Sequence, residues 1–254
     1  RVKILPLLIK KVVIADAVLE QPVLTLRRDK QGILNMDDLL KSERKKTGVA
    51  FRRLKMNQGK VNYIDHAVSL DGLATSLEDI CLSLNSAFGR ERYDFNVTAS
   101  VRDGTHRAGL WLKGRYRPAS PGRPVSESLL HVTGHLKGMD LEHYNPYLKK
   151  YSPVREIAGQ LDAEIDYSGT FSNFTSRGMV DIRDGRLIYP QMFRDRLEPR
   201  KLRCRYDLFR STENLRLNVS QLQIDDFEAS GGMAMKEIHH QDPLLEVNAA
   251  TSAF

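Results

Sequence analysis

Ile157-Ala-Gly-Gln-Leu161-Asp-Ala-Glu-Ile165-Asp-Tyr167-Ser168 decides the fold class. Ile157, Gly159, Leu161, Ala163, Ile165 and Tyr167 share one parity; Ala158, Gln160, Asp162, Glu164, Asp166 and Ser168 share the other. Successive side chains of a strand point to opposite faces, so this period of two describes a strand with one apolar and one wet face. A helix would scatter the same residues around its axis. The wet face points to an antiparallel sheet rather than a parallel one buried on both sides.

The same pattern recurs outward from this segment. Tyr93, Phe95, Val97, Ala99 and Val101 alternate with Asp94, Asn96, Thr98, Ser100 and Arg102. Leu202, Cys204, Tyr206 and Leu208 alternate with Arg203, Arg205 and Asp207, and Leu215, Leu217 and Val219 with Arg216, Asn218 and Ser220. Weaker patterns predict strands near 2–9, 11–19, 22–28, 50–57, 60–65, 77–84, 107–116, 129–138, 178–183, 186–190, 222–235 and 244–250. Asp103-Gly104 and Asp184-Gly185 read as hairpin turns, as more loosely do Lys30-Gln31-Gly32 and Asn57-Gln58-Gly59. Arg117 to Val125, with Pro118, Pro121, Gly122 and Pro124, reads as a longer loop.

Helical signals are few. Asn35 is placed to cap a short helix over 36–43, with Asp37 and Asp38 in its first turn. Leu141, Tyr144, Leu148 and Tyr151 share a helical face, but Pro146 lacks an N–H. Two short turns, or a helix starting near Pro146, are therefore predicted. The fold class is a mainly β protein: a long, twisted, mostly antiparallel sheet with a few short helices.

Composition narrows the function. No run of 18 apolar residues occurs, so no segment reads as a membrane-spanning helix. The chain opens at Arg1 inside a predicted strand, without Met or leader, and is read as part of a longer protein. The net charge of +7 is uneven: residues 1–60 hold 15 Lys and Arg against 6 Asp and Glu, and the other 194 hold 24 against 26. A basic end suits either anionic headgroups or nucleic acid. The basic run Lys41, Arg44, Lys45 and Lys46 has no interleaved aromatic residue and fits no nucleic-acid module, so nucleic acid is not expected. Cys81 and Cys204 are too few for a disulfide framework or a structural zinc site. They fall on opposite parities of separate repeats, so no disulfide between them is expected.

His131 and His135 share a strand face but lie about 13 Å apart, too far for one ion. The adjacent His239 and His240 point opposite ways. No nucleophile elbow, phosphate loop or dinucleotide glycine pattern occurs. No cofactor, metal or enzymatic activity is expected.

Met56-Asn-Gln-Gly59-Lys-Val-Asn-Tyr63 is echoed by Ile182-Arg-Asp-Gly185-Arg-Leu-Ile-Tyr189, 126 residues on. In both copies a loop and a further strand follow, carrying Cys81 and Cys204. Repeated sheet units point to a quasi-linear architecture.

Leu5-Pro-Leu-Leu-Ile-Lys-Lys-Val-Val-Ile14 leads into Leu19-Glu-Gln-Pro22-Val-Leu-Thr-Leu-Arg-Arg-Asp29, then Gly32, Asn35 and Asp38-Leu39-Leu40. This resembles the amino-terminal signature of the AsmA family, although Ile33 and Leu34 stand where the family usually has a tryptophan. Met139-Asp-Leu-Glu-His-Tyr-Asn-Pro146-Tyr-Leu, followed by Gly159 to Tyr167, resembles a recurring unit of such proteins. The resemblance implies residues 1–60 as an amino-terminal β unit with a short helix and 61–254 as β-groove repeats, or one continuous domain. It also implies kinship with the repeating-β-groove, bridge-like lipid-transfer proteins of Gram-negative bacteria. These are anchored in the inner membrane, reach across the periplasm and serve outer-membrane lipid homeostasis.

On this reading the chain is periplasmic. It holds phospholipid or another acyl lipid on an apolar sheet face, with the inner membrane reached through an anchor outside this chain and its basic end nearest that membrane. Envelope proteins are further partners. The groove candidates are Tyr93, Phe95, Val97, Val101, Leu110, Leu112, Ile157, Leu161, Ile165, Tyr167, Leu215 and Leu217. The alternative is a structural or assembly module for envelope proteins with a closed, dry core. An enzyme acting on envelope glycans would instead need a cleft with converging acids.

Overall fold

The computed structural model describes residues 2–3, 12–36, 49–86, 92–120, 123–191, 194–236 and 244–251. The chain divides into two compact units, Arg1–Ser128 and Leu129–Phe254. It is mainly β, built of open, mostly antiparallel sheet, as the alternation requires.

In the first unit the strands are β1 (Val2–Lys3), β2 (Val12–Glu20), β3 (Val23–Arg28), β4 (Val49–Asp65), β5 (Leu73–Ser86), β6 (Tyr93–Asp103) and β7 (His106–Arg117). Their order is β1-β2-β4-β5-β6-β7, with β3 also on β4. Asp103 pairs with His106 across Gly104 (φ 64°), so the expected hairpin forms. Gly32 (φ 87°) likewise turns the chain after β3.

The first strands differ from the antiparallel expectation: β2 and β3 both run parallel to β4. Residues 29–48 separate β3 from β4, long enough for the crossover that parallel pairing needs. Glu20 pairs with Asn57 and Val23 with Lys60, so β2 and β3 are one strand broken at Gln21-Pro22. The Gln21 N–H still donates to the Asn57 carbonyl at 2.9 Å, and the Lys60 N–H to the Pro22 carbonyl at 2.8 Å. Pro22, which has no N–H, sits where the ladder is already interrupted.

The second unit contains β8 (Leu129–Asp140), a short helix α1 (Asn145–Tyr151), β9 (Glu156–Gly169), β10 (Phe174–Ile188), β11 (Lys201–Arg210), β12 (Asn214–Ile224), β13 (Phe227–Lys236) and β14 (Leu244–Thr251). The strands lie side by side in chain order and are antiparallel. Pro146 stands in the first turn of α1, after a single 3-10 turn at Glu142–Tyr144. The Asn145 side-chain oxygen accepts from the Ile157 N–H at 2.7 Å, tying the helix to the start of β9.

Two expected turns are instead bulges within long strands. Gln58 (φ 51°) lies inside β4 and Asp184 (φ 51°) inside β10. Both strands change register there and continue. The extra residue takes the left-handed conformation that a turn would also use, but the neighbouring strand is long enough to pair with both halves. The sequence repeat is thus a structural one, with a buried Gly59 or Gly185 following each bulge. Conversely, residues 222–235 are two strands, not one, because Asp225 (φ 49°) and Asp226 make a turn between β12 and β13. The expected helix over 36–43, most of the strand over 2–9, the basic run at 41–46 and His239-His240 lie outside the described residues. Both cysteines are free thiols.

Candidate functional site

Residues opposite each other in antiparallel strands share a face, so the registers trace each face across its unit. In the second unit one row runs Val132, Tyr167, Ser176, Leu208, Leu217, Met233, Val247 over seven strands. The neighbouring row, one residue away on each strand, runs Thr133, Asp166, Arg177, Asp207, Asn218, Gly232, Asn248. The first row is apolar but for Ser176, and the second is polar. Leu161 pairs with Ile182 and Met139, and Ile182 with Leu202 and then Ile224, giving a second apolar row. Ile157 pairs with Leu187, Ile165 with Gly178, and Leu215 with Met235, on the same face.

The first unit repeats the arrangement. Leu19, Met56, Leu82, Val97 and Leu112 form one row across five strands; Leu24, Val61, Leu77, Val101 and Ala108 form another. Tyr93 pairs with Tyr116, Phe95 with Gly114 and Ala99 with Leu110. The twelve groove candidates therefore fall into two sets, six on the apolar face of each unit.

These faces are only partly buried. Among the described residues the buried apolar side chains are Ile80, Val101, Ala108 and Ala158. Ile165 is 39% exposed, Leu245 52% and Val247 70%. A two-layer domain would bury such rows against a second sheet or a set of helices. The described helical elements are short, and α1 sits against β9.

Small residues let large rings lie flat on the apolar face. A Cβ on Gly178 would press into the Glu164 carbonyl and meet the Tyr206 ring at 2.8 Å. Tyr206 thus crosses β10 at Gly178, and its hydroxyl reaches Ser176 Oγ at 3.4 Å. The Tyr167 hydroxyl donates to the Thr170 carbonyl at 2.6 Å, and burial pushes its pKa up. Burial likewise raises the Cys204 thiol, which lies in this face between Val180 and Leu222. Cys81 pairs with Thr98 on the polar face of the other unit and is exposed.

The sequence reading did not single out two buried carboxylates. Asp65 ends the apolar row of β4 and is fully buried, accepting from the Tyr63 hydroxyl (2.9 Å), the Ala67 N–H (2.8 Å) and Arg28 Nη1 (3.5 Å). Asp103 ends the apolar row of β6 and is 2% exposed. Parity alone locates both: Asp65 follows Val61 and Tyr63, and Asp103 follows Val101. Their charge argued against the apolar face.

On the polar face of the first unit, Glu78 accepts from Lys60 (2.9 Å) and Arg107 (3.1 Å), with Arg102 at 3.7 Å. Hydrogen bonds from Lys60 and Arg107 hold its pKa at about 2, against the partial desolvation that opposes them. A carboxylate with a lowered folded-state pKa stabilises the fold above its unfolded pKa, and the gain disappears as pH falls through the folded one. The stability difference between the protein and Glu78→Gln is therefore expected to be complete above pH about 4.5 and to shrink toward pH about 2. Urea melts across that range check it. A difference independent of pH would contradict the ion-pair account.

No protein-family model, curated protein or solved structure matches the chain. The two apolar faces therefore carry the functional argument.

Proposed function

We propose that the chain is a non-enzymatic, AsmA-like lipid-binding module of the Gram-negative cell envelope, which holds acyl chains along the apolar faces of its sheet. The observation that supports this is the row from Val132 to Val247: across seven strands it is apolar at every position but Ser176, and its far end is 70% exposed. Water in contact with such a face is costly, and an acyl chain laid on it gains roughly 0.8 kcal/mol for each methylene removed from water. The contacts are interchangeable along and across the rows, so a chain held by many of them is free to slide. Transfer then needs no chemical step and no catalytic residue.

In this reading the module stands in the periplasm, attached to the inner membrane by a part of the protein outside this chain, and holds phospholipid or another acyl lipid in the service of outer-membrane lipid homeostasis. Neighbouring residues on one strand test it. A photo-crosslinking amino acid at Leu161 or Leu217, on the apolar face, is expected to capture phospholipid in cells. The same group at Gln160 or Arg216, on the polar face, is expected to capture little. Equal capture at both pairs, or none at either, would refute the proposal.

A further inference from the structure

The two units differ on their polar faces. In the second unit bases and acids interleave: Arg177 contacts Asp207 at 2.7 Å, Arg183 contacts Asp162 at 3.0 Å and Arg203 contacts Asp181 at 2.7 Å. That unit holds 16 Lys and Arg against 18 Asp and Glu, whereas the first holds 23 against 14. Part of the first unit's excess is concentrated on β7, which has no acidic residue. Arg107, Lys113, Arg115 and Arg117 all have one parity, all lie on the polar face and all are exposed. Arg102 of β6 pairs with Arg107 and adds a fifth base, while Asp94, in register with Arg115, is the acid that β6 contributes to this face.

The chain's single tryptophan lies in the same stripe. Trp111 pairs with Thr98, and Thr98 with Cys81, so Trp111 projects from the polar face and not into the apolar rows. It is half-buried, between Gly109 and Lys113 along the strand. An indole beside a lysine, in a stripe that also carries arginines, is a side-chain set that settles at the headgroup level of a bilayer: the ring enters the interface while the cations meet phosphate. Binding a nucleic-acid strand by stacking calls for successive aromatic platforms, and this face offers one. Glu78 and Asp79 of β5 lie against Arg107, and Glu78 against Arg102, so the excess charge of the stripe rests on Lys113, Arg115 and Arg117, beside the neutral residues Ser83, Asn96, Thr98 and Ser100.

We propose that the polar face of β7 and β6 docks the first unit onto a bilayer rich in anionic phospholipid, with Trp111 at the headgroup level. This surface is opposite the apolar rows, so the proposal does not depend on acyl chains occupying them.

Trp111 is itself the probe. On titration of the whole chain with phosphatidylglycerol-containing vesicles, tryptophan emission is expected to shift to the blue, and the shift is expected to weaken with salt. Vesicles of phosphatidylcholine alone are expected to produce no shift. Lys113→Gln with Arg115→Gln, both at exposed strand positions, is expected to weaken binding roughly twenty-five-fold, at about a fivefold effect per base. Arg117→Gln alone is expected to show the single-base effect. Equal binding to both vesicle types, or binding unchanged in these variants, would overturn the proposal. So would binding to a single-stranded oligonucleotide with no binding to vesicles, which would assign the face to nucleic acid.

Discussion

Val97→Asp and Leu161→Asp are each expected to remove co-purifying lipid while leaving the sheet folded. Val97 stands between Leu82 and Leu112 in the first unit, and Leu161 between Met139 and Ile182 in the second. Each is half-buried, not sealed from solvent. A carboxylate there stays hydrated when the face is empty, so the fold tolerates it. It also places a charge in the path of an acyl chain, where desolvating it costs several kcal/mol and prevents binding. In a closed, dry core the same substitution buries an unpaired charge and unfolds a marginally stable domain. Circular dichroism melts measured beside lipid content separate the two. Retained melting with lipid lost fits the open face. Collapse of the melt, with no lipid in the parent protein, fits the structural module.

Asp65→Ala is expected to behave in the opposite way, with a large loss of stability. Asp65 accepts from a backbone N–H, a tyrosine hydroxyl and an arginine, all at the end of the apolar row of β4. Truncation removes this acceptor from all three and is expected to cost about 3 kcal/mol. Asp65→Asn keeps an acceptor oxygen and is expected to recover part of the loss. Urea denaturation of the two variants checks the order. A melt of Asp65→Ala equal to that of the parent would show that the cluster contributes nothing to stability.

The positions that were legible in the sequence are those where one physical signal had one meaning. Alternation from Tyr93 to Val101 and from Ile157 to Tyr167 has no helical equivalent, and these two runs hold eight of the twelve groove candidates, all on one parity of their strand. Pro146 fixed the start of α1 because its missing N–H is harmless only in a first turn. The turn signals were ambiguous. Gln58-Gly59 and Asp184-Gly185 encode a positive φ, which serves a hairpin and a bulge equally well.

A further clue lies in the parity of the apolar residues. In β4 it passes from Leu54 and Met56 to Gly59, Val61 and Tyr63; in β5 from Leu73 and Leu77 to Ile80, Leu82 and Leu84; in β8 from Leu136 to Met139. In each case the register shifts between the two sets. A bulge re-aims the strand so that both halves face the same way, and only the partner strand's length reveals that pairing continues. The parallel entry of β2 and β3 was not legible for a related reason: direction is set by the returning connection, not by the strands. Trp111 was not legible because an apolar side chain on the polar parity reads as noise until the register shows it within a basic stripe.

Mass spectrometry of the chain, purified folded from a Gram-negative host and sprayed under native conditions, tests the central claim most directly. The expected spectrum contains protein with bound phospholipid, released as intact acyl lipid on activation and absent from Leu161→Asp. A spectrum of folded, lipid-free protein that also takes up no phospholipid when it is offered would contradict the account.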